Sequence, residues 1–125
     1  MIYIVTEVFV SRSCPVSLRP VVFEMRKAAG NAFESEEHLS RYVKGLKAWV
    51  NDLCARAHGR MSGISVCRSC SGNTGAVSVI RHDRNAGDLL RLSYIVLSGH
   101  VSVGRDGRTV YPQHFVEEGG IHDGV

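Results

Sequence analysis

What this chain lacks narrows its class before any motif is considered. No stretch reaches the roughly eighteen consecutive apolar residues of a membrane-spanning helix, although 44% of the 125 residues are hydrophobic. The opening MIYIVTEVFV has no basic stretch ahead of its apolar run and carries Glu7 inside it. It reads as a strand, not a secretion signal. Without such a signal, the four cysteines favour reduced thiols and a cytoplasmic location over a disulfide framework. No internal repeat appears, and no linker is long enough to divide the chain.

Catalytic signatures are also missing. No nucleophile stands on a strand-to-helix elbow or at a helix start, and His38, His58, His82, His100, His114 and His122 are scattered. The glycine-rich stretches Ser71–Gly75 and Asn85–Gly87 precede strands, not a helix whose amides would hold phosphate. The expectation is a non-enzymatic protein with no catalytic residues and no cofactor.

What is present is one strongly periodic segment, Ser35 to Gly59. Leu39, Tyr42, Val43, Leu46, Trp49, Val50, Leu53, Cys54 and Ala57 fall on one stripe of a 3.6-residue repeat. Ser35 is placed to cap the first turn. Glu36 and Glu37 sit at the positive end of the helix dipole, Arg56 and His58 near its negative end. Gly59 is a natural stop. Gly45, on the opposite side from Leu46, costs ~1 kcal/mol relative to alanine.

Around this helix the sequence reads as strand. Ile2 to Ser11 is apolar on both faces and so belongs inside a sheet, with Ile2, Ile4, Val8 and Val10 on one side and Tyr3, Val5 and Phe9 on the other. Pro20 opens a second strand, Val21 to Lys27, with Val21, Phe23 and Met25 on its dry face. Ile64–Cys70, Ala76–His82 and Leu89–Leu97 follow, the last also apolar on both faces. Asp106-Gly107 signals a two-residue turn closing His100–Gly104 on Thr109–Gln113. The order β-β-α-β-β-β-β lacks βαβ alternation. It predicts an α+β single domain over 1–116, an antiparallel or mixed sheet of about five to six strands with one long amphipathic helix packed on one face. One helix cannot cover six strands, so the sheet curls or the final hairpin leaves it. Residues 117–125 form an acidic tail expected to be mobile.

The net charge of +3 is unevenly spread: residues 1–116 carry all 15 basic residues, and the tail adds Glu117, Glu118 and Asp123. Arg41, Lys44 and Lys47 lie on successive turns of the helix, opposite its apolar stripe. Arg68, Arg81, Arg84, Arg91, Arg105 and Arg108 populate the strand-rich half. Such cations suit phosphate or carboxylate. Against a single-strand nucleic-acid surface, the only strand aromatics in that half are Tyr94 and Tyr111. The residues expected to bind a partner are Arg41, Lys44, Lys47, Arg105 and Arg108.

A zinc alternative exists in Cys54 and His58, one turn apart on the helix, with Cys67 and Cys70 in a CxxC pair. Against it, the pair falls in a strand-like stretch, where residues three apart point to opposite faces. No second CxxC follows. Core thiols without metal are the simpler reading.

The helix start Phe33-Glu34-Ser35-Glu36-Glu37-His38-Leu39, after a strand and a turn, resembles small phage and mobile-element inhibitor proteins of the anti-CRISPR type. Some of these share a short β-β-α core with an F-x-S-x-E-x-L-like start to the helix. It also looks like the strand–helix arms of some integrase DNA-binding domains. The resemblance covers residues 21–50 and carries no site residues. It implies a non-enzymatic inhibitor that docks on a host protein or nucleoprotein complex such as a CRISPR effector, with no membrane involved. The alternative is a small nucleic-acid-binding domain, supported by zinc if the cysteines ligate it.

Overall fold

The structure, a computed structural model, describes residues 1–57, 61–82 and 87–98, together with the backbone of 102–103 and 109–110. Its centre is the strand β5 (Gly87–Leu97). Five strands form one antiparallel sheet in the order β2-β1-β5-β4-β3, with β1 at Ile2–Val10, β2 at Ala32–Phe33, β3 at Ile64–Ser71 and β4 at Thr74–Arg81. Both segments that are apolar on two faces, β1 and β5, are interior strands. This is the α+β class expected, with the sheet left open.

The sides of β1 differ from simple alternation. Its pairing with β5 shifts register between Val5 and Glu7, so Thr6 is an extra residue in the strand. A bulge of this kind reverses the facing of every later side chain. Tyr3 and Val5 before it, and Val8 and Val10 after it, all join the main core. Ile2 and Ile4 instead form a second apolar cluster with Leu97, and Phe9 is left 39% exposed.

The largest correction concerns residues 19–28. This segment is a helix, α1 (Arg19–Ala28), preceded by a 3-10 turn at Val16–Leu18. Val21, Phe23 and Met25 do alternate, but Leu18, Val21, Val22, Met25 and Ala28 also make a helical stripe. That stripe is the one buried or packed on the core. Phe23 is 62% exposed. Pro20 sits in the first turn, where a missing N–H costs nothing, rather than opening a strand. The chain therefore has a helix where a second strand was expected. The short β2 takes the place beside β1.

The long helix, α2 (Glu36–Arg56), starts as the sequence implies. The Ser35 hydroxyl accepts the His38 amide proton at 3.1 Å. Leu39, Val43, Leu46 and Val50 are buried, while Tyr42, Trp49, Leu53, Cys54 and Ala57 pack at the rim. Trp49 is thus half-buried, not fully enclosed. Both helices contribute to the same core as Val66, Val77, Val79, Leu90 and Leu92, so they share one face of the sheet. The predicted stop at Gly59 lies outside the described residues.

Hairpins join the remaining described strands. β3 and β4 pair through Ser71↔Thr74 across Gly72-Asn73, and Gly72 takes φ +61°, a conformation open to glycine at little cost. The strands β6 (Ser102–Val103) and β7 (Thr109–Val110) form a two-stranded sheet of their own. The final hairpin does leave the main sheet. Its register departs from the expectation: Val103, not Gly104, stands opposite Thr109. Asp106-Gly107 and the tail 117–125 lie outside the described residues.

Candidate interaction surface

The N-terminus of α2 is pinned to the sheet by one polar cluster. Arg68, on β3, donates through Nη2 to Glu36 Oε2 at 2.8 Å and through Nη1 to Oε1, a bidentate pair. Its Nε donates to the Tyr94 hydroxyl at 3.0 Å. Tyr3 donates its own hydroxyl to Glu36 Oε2 at 2.8 Å. The rings of Tyr3 and Tyr94 meet edge to face at 5.8 Å, and the guanidinium lies 5.9 Å from each. Side chains from β1, β3, β5 and α2 are joined at one point. Sequence reading missed this cluster because its members are up to 91 positions apart (Tyr3 to Tyr94), and nothing local marks them as partners.

The cluster sets the ionisation of Glu36. Hydrogen bonds from Arg68, then from Tyr3, hold its carboxyl down at about 2. The Glu36 hydrogen bond, helped by burial, raises the Tyr3 phenol. A carboxylate depressed in the folded state contributes stability that is present above its unfolded value, ~4.3, and lost as pH falls toward 2. The Glu36 side chain is 58% exposed, so solvent screening limits the pair to about 1 kcal/mol or less. Urea titrations at pH 6 down to pH 2 should show this loss between ~4.3 and ~2. Glu36→Gln should flatten the profile in that window, and an unchanged profile would contradict the pairing.

With Arg68 paired, the remaining described cations on this side belong to α2. Arg41, Lys44 and Lys47 are exposed, as their positions opposite the apolar stripe require. They form no ion pair among the described residues, not even Arg41 with Glu37 one turn away. Together with Glu37, Ser40, Val43 and Arg68 they line an open groove of about 430 Å³ between α2 and β3. Beside this groove runs the outer edge of β3, the last strand of the sheet, with no strand partner among the described residues.

Arg105 and Arg108 lie outside the described residues, as do Arg84, Tyr111 and His58. Arg91 is paired with Asp88 at 2.9 Å and stacks on Phe9. Of the described arginines of the strand-rich half, Arg68 and Arg91 are thus each committed to an acid. Tyr94, a candidate stacking platform, is 1% exposed and cannot receive a base.

Of the zinc set, the three cysteines are described and His58 is not. Cys67 and Cys70 are three apart on an unbroken strand and face opposite ways. Cys54 is half-buried on α2, where burial pushes its thiol up, away from the thiolate a metal needs. No cluster of three or more metal-ligating side chains occurs among the described residues. A second hollow of about 600 Å³ opens between the end of β1 and α1, lined by Val10, Cys14, Val16 and Phe23. Burial raises the Cys14 thiol as well, so it offers no ready nucleophile. No helix among the described residues is long and apolar enough to cross a membrane.

Comparison with known proteins finds no match for this chain among family models, curated proteins or solved structures.

Proposed function

We propose that this chain is a non-enzymatic binding protein that docks on a protein surface through the α2 stripe Arg41, Lys44 and Lys47. The observation that carries the reading is the state of these three cations. They are held in line on a rigid helix, exposed, and uncommitted to any acid within the described fold. Most concretely, the protein acts as a phage-type inhibitor, similar to anti-CRISPR proteins, that occupies a surface of a host nucleoprotein complex in the cytoplasm. Of the strand–turn–helix order that carries this likeness, β2 and α2 remain and the segment before them is helical. Arg105 and Arg108 are the second expected anchor.

The same stripe also suits phosphate, which keeps direct nucleic-acid binding as the competing reading. Burial of Tyr94 weighs against it, because the one described aromatic of the strand-rich half then offers no face for base stacking. A pull-down from host lysate with the triple variant R41E/K44E/K47E separates the two. The expected result is a protein partner retained after nuclease treatment and weakened about tenfold or more by charge reversal, ~1.4 kcal/mol. The melting temperature should be nearly unchanged, because all three positions are exposed. Tight, salt-sensitive binding to free DNA or RNA, lost in the same variant, would overturn the protein-docking reading.

A further inference from the structure

We infer that the outer edge of β3 is a strand-addition site for an acidic, extended segment of a protein partner, whose alternate carboxylates meet the α2 cations. This rests on the reading of the α2 stripe as a docking surface and specifies how a partner would use it.

Exposed sheet edges present unpaired N–H and C=O groups, and proteins usually blunt them by shortness, bulges, projecting charge or a covering element. The opposite edge of this sheet follows that rule: β2 has only two residues, and the part of β1 that runs on past it is interrupted by the bulge at Thr6. β3 does not. It runs eight residues, Ile64–Ser71, and pairs with β4 from Ile64↔Arg81 to Ser71↔Thr74 without a bulge. Its one charged side chain, Arg68, is drawn to Glu36 and Tyr94 instead of guarding the edge. Among the described residues no strand covers it.

The chemistry on either side of this edge selects the occupant. On the helix side stand Arg41, Lys44 and Lys47, spread along about 9 Å of helix axis. On an added strand, side chains of the same face recur every ~7 Å. Two successive same-face carboxylates therefore span the stripe within reach of its long side chains. On the other side, β3 presents Ser65, Cys67 and Ser69, small residues that tolerate varied neighbours. A nucleic acid matches the cations but cannot complete a backbone ladder. A second copy matches the ladder, but antiparallel pairing of two β3 edges would place two basic stripes side by side. An acidic peptide satisfies both features.

The test uses the full chain and a fluorescent peptide of about eight residues, the length of β3, alternating glutamate and valine. Two further versions carry N-methyl groups on the glutamates alone or on the valines alone. In strand addition only one alternating set of peptide N–H groups faces β3. One methylated version should therefore bind at least about tenfold more weakly than the parent, and the other within about threefold of it. K44E/K47E, checked for an unchanged melting temperature, should weaken the parent by about tenfold. No parent binding at ~1 mM would overturn the site. So would equal affinity of all three peptides, or equally tight binding of an oligothymidylate. If charge reversal abolishes binding while methylation is silent, the basic-stripe reading stands and strand addition fails. If charge reversal is silent while one methylated version fails, the edge site stands and the stripe reading falls.

Discussion

Leu46→Ala should lower the unfolding free energy by about 2–5 kcal/mol. Leu46 is at mid-helix, 4% exposed, in the cluster that joins α2 to Val66, Val77 and Leu92. Its removal takes apolar surface from the core and leaves a cavity that the sheet cannot close, because the strand backbones beneath are fixed by their ladders. Trp49→Ala should cost less than its size suggests, since the indole packs only at the rim. Urea denaturation followed by circular dichroism measures both. A Leu46→Ala loss under about 1 kcal/mol would contradict the burial described.

Gly75→Ala should be nearly as damaging, although it adds a single methyl group. Gly75 stands opposite Tyr94 on the neighbouring strand, and the tyrosine ring lies across the glycine. A Cβ built there would fall 2.3 Å from the ring's Cζ and hydroxyl oxygen. The ring is not free to withdraw. It is 1% exposed, its hydroxyl is held by Arg68 at 3.0 Å, and Tyr3 closes it at 5.8 Å. The strand or the whole polar cluster must shift, a strain of about 3 kcal/mol. The cause can be isolated. In a Tyr94→Ala background the same Gly75→Ala change should cost little, giving an interaction energy of about 1–3 kcal/mol. Equal cost in both backgrounds would mean the ring is not what the glycine accommodates. Gly75 reads in the sequence as turn chemistry, whereas its role is to admit a cross-strand ring.

The elements that sequence places correctly are those whose signal is local and redundant. In α2 the apolar period, the Ser35 cap and the first-turn acids agree, so no neighbouring structure was needed to choose helix. The same holds for β5 and β1, where two apolar faces require an interior position. The exposed stripe of Arg41, Lys44 and Lys47 follows from the same geometry, because a helix that buries one face presents the other.

Tertiary structure decided the rest, wherever two local answers were nearly equal or the partners were distant. Val21 to Ala28 carries both a period of two and a helical stripe. Burial of Leu18, Val21 and Met25 against the core selects the helix and leaves Phe23 outside. In β1, one extra residue at Thr6 exchanges the two faces, and only the ladder with β5 reveals it. The fate of Arg68 depended on Glu36, 32 positions away, coming within hydrogen-bond reach. Whether β3 would be an edge was set by strand order, which side-chain pattern does not encode. By itself the sequence determined the α+β class, the long helix, the interior strands and a line of cations. Folding decided which of those cations remain uncompensated and which backbone edge lies beside them, because charge pairing and strand order depend on contacts between residues far apart in the chain.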